Sequence, residues 1–345
     1  MTKHINIPIF IPHLGCPNQC VFCNQRSISG TLSFCEDGID ETVGEIITAS
    51  DARFGDNCER EIAFFGGSFT GIDRALMIRL LDKAQGYVAS GKVAGIRMST
   101  RPDYISAEIL DILSNYTISA IELGLQSFSD NVLTKSKRGH TIAQAIEACR
   151  MITERTIPLV GQMMIGLPDS QIADEIRTAE MICDLGASAA RVYPAVVFHG
   201  TELKDMTDSG EYRPLSVEDA VDRTKAVLKI FDERGVECIR IGLCESENLH
   251  AEETYAAGPN HAAIGEMARS ELYYDKICAA IDEMSACLSG KTLTVHCPSG
   301  AVSQITGQKK RNKIRIQNKY NVKKVKVIEM ETLKGYNIVI DYQDI

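Results

Sequence analysis

The chain has 345 residues, 44% hydrophobic and 24% charged, enough for one large domain and a small one, each with its own core. No apolar run approaches the roughly 20 residues a membrane helix needs, and the opening MTKHINIPIF lacks the basic start and apolar stretch of a secretory signal, so a cytoplasmic protein is expected. The net charge of −9 is uneven: residues 303–326 hold nine basic and no acidic residues, residues 327–345 one basic and four acidic, which leaves the first 302 at −15.

In chain order, apolar runs rich in β-formers predict strands over residues 5–11, 61–65, 95–99, 120–123, 159–165, 189–193 and 236–241. Helical patterns fall between them, including 73–90, 141–155 and 216–234. Thr141 and Gln144 stand at capping-box spacing, as do Ser216 and Asp219, and Gly235 ends the third helix. Strand alternating with helix makes this an α/β chain with a parallel sheet, closed as a full or partial (β/α) barrel, whose chemistry belongs on loops after the strand ends. Near Asn260 the pattern changes to a helix (261–283), a strand (292–296), the basic segment and two strands (324–329 and 336–341). The expected organisation is a domain over 1–258 and a small α+β C-terminal domain over 259–345.

Twelve cysteines are scattered along the chain, but only Cys16, Cys20 and Cys23 are clustered, in a C-x3-C-x2-C loop just after the first strand. Three thiolates on one loop can hold three irons of a 4Fe–4S cluster and leave the fourth open. S-adenosylmethionine (SAM) can fill that position through its amino and carboxylate groups, and its reductive cleavage yields a 5′-deoxyadenosyl radical. The competing reading is structural zinc, with His13 as a fourth ligand, although no second ligand pair stands at matching spacing. Phe22 is either an adenine neighbour or simple core. Cys238 and Cys244 are weighed as members of a second cluster and read instead as packing residues.

The loop and the text around it, from about Ile7 to Asn248, resemble the radical SAM superfamily. Within it, the likeness is to the branch with oxygen-independent coproporphyrinogen III oxidase and the catalytic subunit of elongator. The resemblance implies a 4Fe–4S cluster on Cys16, Cys20 and Cys23, SAM as cofactor, and a reductase or a flavodoxin- or ferredoxin-type electron donor. It rests on motifs at successive strand ends. Phe65-Gly66-Gly67-Ser68 matches the family's glycine pair, implying that Gly66, Gly67 and Ser68 line the methionyl amino group, with Ser68 where the commonest version has an acid. Thr100-Arg101-Pro102-Asp103 matches the elongator branch, making Thr100 a cofactor neighbour and Arg101 a catalytic candidate pairing with a carboxylate or an anionic substrate, or else a surface ion pair. Glu122, Gln126 and Arg138 match both relatives and are implied near the methionine and ribose, with Glu122 alternatively a buried structural carboxylate. Gln162, before Gly166-Leu167-Pro168, is a ribose candidate; Met163 and Met164 read as core. Tyr193, in Arg191-Val192-Tyr193-Pro194, matches the elongator branch and is a catalytic candidate near the substrate.

The segment 302–314 resembles the clamp of a KH RNA-binding domain, with Gly307 in place and Lys310 where the second glycine belongs. RNA contact through residues 303–326 is therefore an expectation, set against a solvated basic face. No acetyltransferase segment accompanies the elongator likeness. There is no G-x-S-x-G, H-E-x-x-H or Walker sequence. The functional expectation is a radical SAM enzyme that abstracts hydrogen from an unidentified substrate, with an RNA base as one candidate. The alternatives are oxidative decarboxylation of a porphyrinogen-type small molecule and a non-catalytic iron–sulfur or RNA-binding protein.

Overall fold

A computed structural model describes residues 3–16, 20–24, 34–55, 57–243, 251, 253–284 and 287–343. Seven parallel strands form one curled half-barrel sheet in the order β1-β2-β3-β4-β5-β6-β8. They are β1 (Lys3–Ile11), β2 (Cys58–Gly66), β3 (Gly95–Thr100), β4 (Ile118–Gln126), β5 (Leu159–Ile165), β6 (Ala189–Pro194) and β8 (Glu237–Ile241). A short β7 (Val197–Phe198) pairs antiparallel with β9 (Tyr255–Ala257) outside this sheet. All seven expected strands are present, and the barrel is partial.

Consecutive strands lie side by side because each returns through a helix, the usual consequence of βαβ connection. The helices are α1 (Ile39–Phe54), α2 (Arg74–Ala89), α3 (Ala107–Leu113), α4 (Asp130–Lys135), α5 (Ile142–Glu154), α6 (Ile172–Asp184) and α7 (Glu202–Asp208). Asp73 caps α2 by accepting from the Leu76 N–H at 3.0 Å. The Thr141–Gln144 capping box opens α5 as the spacing predicts, with both reciprocal bonds formed. Along the strands side chains alternate between two faces. Ile62, Phe64, Ile96, Met98, Ile121 and Leu123 are buried on one face; the other carries the polar groups of the site.

Two compact units result: residues 1–215 with 236–260, and residues 216–235 with 261–345. Helix α8 (Val217–Glu233) follows the alternating pattern of the sheet in sequence, yet it belongs to the second unit. Its predicted cap is present, with Ser216 Oγ accepting from the Asp219 N–H at 3.0 Å. The second unit adds α9 (Ile264–Glu283), β10 (Thr292–Cys297), α10 (Val302–Thr306), α11 (Arg311–Tyr320), β11 (Lys324–Glu329) and β12 (Val339–Gln343). Its three-stranded sheet has β10 in the centre, parallel to β11 and antiparallel to β12. Leu293, Val295, Ile277, Ile281, Ile305 and Ile316 form its core.

Candidate active site

The cysteine loop is fastened to the end of β2 through its backbone. The Gly67 N–H donates to the Ile11 carbonyl at 3.0 Å, and the Ser68 N–H donates to the Leu14 carbonyl at 2.8 Å. The two chains run so close that a Cβ on Gly67 would stand 2.0 Å from the Leu14 oxygen, and one on Gly15 would stand 2.2 Å from the Ser68 oxygen. Only glycine fits at either position. Farther on, the Val21 N–H donates to the Ser136 carbonyl at 3.3 Å and the Leu203 N–H to the Val21 carbonyl at 2.8 Å.

Two buried arginines face this loop. Arg138 donates from Nη1 to Cys20 Sγ at 3.2 Å and from Nη2 to the Gly124 carbonyl at 2.8 Å. Arg101 grips both oxygens of Asp103 at 2.9 Å and also donates to the Arg138 carbonyl. Arg101 is thus an ion pair, but a buried one. Burial pushes the Cys16 thiol above its ordinary pKa, Arg101 pulls it down, Cys20 raises it and Arg138 lowers it. Among the described residues, no three Cys, His, Asp or Glu side chains are grouped closely enough to hold a metal ion as they stand.

The donor set nevertheless fits an anionic iron–sulfur group with a polar ligand. Three thiols share one loop beside two guanidiniums that offset thiolate charge. Arg101 Nη1, Arg138 Nε and Gln126 Oε1 are buried without a hydrogen-bond partner. Orphaned buried polar atoms are uncommon and call for a group to meet them. Gln126 lies with Arg138 at Gly124, where a Cβ would meet their side-chain nitrogens at 3.1 and 3.2 Å.

Ser68 and Thr100 are placed differently. Ser68 Oγ lies 2.9 Å from Thr100 Oγ1, which lies 2.6 Å from Thr70 Oγ1, and the Arg101 N–H donates to Ser68 Oγ at 3.2 Å. All three hydroxyls are buried. They knot the ends of β2 and β3 together, and with Thr70 Oγ1 donating to the Tyr104 carbonyl their hydroxyl hydrogens are engaged inside the protein.

A cavity of about 260 Å³ opens on the polar face of the sheet and brings together six of the candidates: Phe22, Cys23, Gly66, Glu122, Gln162 and Tyr193. Its remaining walls include Phe10, Phe65, Phe198 and Arg191. Beneath it ion pairs and hydrogen bonds link residues on five strands. Glu122 Oε1 accepts from Arg97 Nη1 at 3.1 Å and from Arg191 Nη2 at 2.8 Å. Arg97 Nε donates to Glu61 at 2.8 Å, and the same Glu61 oxygen lies 2.9 Å from His4 Nε2. Burial works to raise the Glu61 carboxyl, but Arg97 holds it below its ordinary value. Arg191 also lies over the Phe65 ring at 5.5 Å and reaches the Tyr193 hydroxyl at 3.4 Å.

Sequence reasoning left out Glu61, Arg97 and Arg191 as members of this site. A usable signal was present: each is a charge inside an apolar strand run, and such charges are buried only when paired. Cys238 is buried with its Sγ 3.5 Å from the Arg240 carbonyl; Cys244 lies outside the described residues.

Comparison with known proteins bears on the family and the fold. Residues 10–182 match the model of the Radical SAM superfamily and residues 187–274 that of the Radical_SAM C-terminal domain. An uncharacterized protein of Methanocaldococcus jannaschii, MJ0486, is 30% identical over 224 residues, covering 62% of this chain and 67% of that protein. The tRNA uridine(34) acetyltransferase of Methanocaldococcus infernus is 29% identical over 147 residues, 41% of this chain but only 28% of its own length. The solved structure of the archaeal Methanocaldococcus infernus Elp3 with an N-terminal deletion superposes with a TM-score of 0.63 at 19% identity, over 81% of this chain and 64% of that one. With the first family model spanning half of its length and the half-barrel beneath it, the chain belongs to the radical SAM superfamily and is an enzyme of that class.

Proposed function

We propose that Cys16, Cys20 and Cys23 hold a 4Fe–4S cluster, that SAM lies along the strand ends beside it, and that the substrate is an RNA base. The observation that carries this reading is the shared cavity: Cys23 lines the same space as Gly66, Gln162, Glu122 and Tyr193. When bound, the cluster and SAM supply a single chemistry, one-electron cleavage of the sulfonium to a carbon radical that abstracts hydrogen.

The chain's own residues bind, orient and shield. Arg138 and Arg101 offset thiolate charge at the loop. The free acceptor of Gln126 and the free donors of Arg101 and Arg138 suit the amino and carboxylate groups of the methionyl moiety. Phe10, Phe22, Phe65 and Phe198 give the cavity apolar walls. A planar heterocycle suits these aromatic walls. Tyr193 and Gln162 supply polar groups that can meet its edge. A porphyrinogen would bring several carboxylates to a cavity whose one arginine among the described residues, Arg191, is already matched by Glu122. The relative named for tRNA uridine acetylation supports the RNA reading. This chain matches only 28% of the length of that acetyltransferase and 64% of the solved Elp3 chain, so their complete reactions are not carried over.

The test is anaerobic reconstitution of the full chain and of Cys16→Ala, Cys20→Ala and Cys23→Ala, followed by reduction with SAM present. The wild type is expected to carry one cluster and release 5′-deoxyadenosine; each variant is expected to lose both. An intact cluster with no SAM cleavage sinks the catalytic reading. Incubation with total tRNA and nucleoside mass spectrometry then tests the substrate class, and an unchanged nucleoside profile from a SAM-cleaving enzyme rejects RNA.

A further inference from the structure

We infer that the second unit carries its own binding site for the sugar–phosphate backbone of single-stranded RNA, centred on the loop Gly307-Gln308-Lys309-Lys310 and the cavity beside it. The choice of RNA as the polyanion rests on the proposed function. The site itself rests on the geometry of this unit.

A cavity of about 860 Å³ lies between the first turns of α9, with Glu266, Met267 and Ser270, and the loop from Gly307 to Arg311. The loop backbone is unusual. Gly307 has φ +74°, and Lys309 and Lys310 have φ +50° and +64°. Left-handed conformation costs a non-glycine residue about 1 kcal/mol or more, and two exposed lysines in succession adopt it. Lys310 occupies the place of the second glycine of a G-x-x-G clamp and keeps a backbone conformation that glycine favours.

The surroundings hold this loop in place. Asn312 is buried at 1% exposure and donates to the Ser270 carbonyl at 2.8 Å and to its Oγ at 2.9 Å. A Cβ on Gly307 would touch Asn312 at 3.2 Å. The loop is pinned to α9, so its lysines are presented at fixed positions.

Charge in the basic segment is divided. Arg315 is spent on Glu271 at 2.8 Å and lies over the Tyr274 ring at 3.6 Å. Lys319 faces Asp282 at 3.7 Å. Lys309, Lys310 and Lys313 form no ion pair among the described residues. Glu271, an acid of the cavity wall, is offset by Arg315, and Glu266 accepts from Gln304 at 3.2 Å. The ten-residue helix α11 begins at Arg311, so its first N–H groups add positive potential at the same edge.

Among the described residues no aromatic side chain lines this cavity, so these walls offer no platform on which bases stack. What it offers is cations and backbone donors, which read phosphate rather than sequence. A concave space suits a flexible single strand better than a rigid duplex.

The experiment is fluorescence anisotropy of a labelled single-stranded oligouridylate with the full chain, across salt from about 50 to about 200 mM. The assay uses neither SAM nor reductant. Wild type is expected to bind with a negative slope of log K against log salt. The double variant Lys309→Gln/Lys310→Gln changes two exposed side chains and is expected to flatten that slope by about 1.4. Lys334→Gln, a charge removed elsewhere in the unit, is expected to leave the slope unchanged. Absence of wild-type binding, or a double variant that binds with the wild-type slope, overturns the site. Equal affinity for duplex DNA overturns the assignment to a single RNA strand. Loss of 5′-deoxyadenosine formation with binding intact condemns only the barrel reading; loss of binding with SAM cleavage intact condemns only this site.

Discussion

Arg138 joins the cysteine loop to the fourth strand: its Nη1 reaches Cys20 Sγ at 3.2 Å while its Nη2 holds the Gly124 carbonyl at 2.8 Å. A guanidinium in that position both orients the loop and offsets charge on it. Residues that orient metal ligands typically change metal affinity by about 10- to 100-fold when removed. Arg138→Ala is therefore expected to reconstitute with iron about 10-fold or more weaker than wild type, with Arg138→Lys intermediate. Iron retention against a competing chelator measures this, and a value equal to wild type rejects the role.

Glu122 is the shared acceptor of two buried arginines. Removing its carboxylate leaves Arg97 with Glu61 alone and Arg191 with no carboxylate. Breaking a buried pair from one side costs about 3 to 5 kcal/mol. Glu122→Ala is expected to lose stability of that order in urea unfolding, with Glu122→Gln losing less because an amide oxygen still accepts. A loss below about 1 kcal/mol shows that water or a rearranged partner replaces the carboxylate.

Two glycines should respond in opposite directions. Gly67→Ala places a methyl group 2.0 Å from the Leu14 oxygen and must push the cysteine loop off the end of β2. Lower thermal stability and poor iron uptake are expected together. Gly86 lies within α2, is exposed, and has nothing beyond its own helix backbone within 4 Å of the place where an alanine methyl would stand. Gly86→Ala should stabilise by about 0.5 to 1 kcal/mol. Differential scanning calorimetry of the pair checks both signs, and a neutral Gly67→Ala contradicts the clasp.

His140 is buried, and burial first, then the nearby Arg138, depress its imidazole from 6.5 to about 4. The sign follows from where the proton binds. Between pH 6.5 and about 4 the unfolded chain takes up a proton at His140 that the folded chain refuses. Stability from this group is therefore full above pH 6.5 and is lost as pH falls toward 4, by roughly 3 kcal/mol in total. Urea midpoints measured across that window should fall more steeply for wild type than for His140→Gln. Parallel curves for the two reject the assignment.

The sequence by itself determined the features that are local. The seven strands, the Thr141–Gln144 and Ser216 caps and the C-x3-C-x2-C loop each depend on residues close together in the chain. Periodicity reports the face an element buries, and short spacing reports what one loop can gather. Tertiary structure alone decided which side chains meet. Arg97 and Glu122 are 25 residues apart, and Arg191 and Glu122 are 69 apart. Their pairing depends on strand order and register, which no single segment contains. The same reason explains Ser68 and Thr100, 32 residues apart, whose hydroxyls turn to each other across two strand ends. It also explains helix α8, whose amphipathic pattern requires a partner surface without naming it. The fold supplied that partner from the second unit.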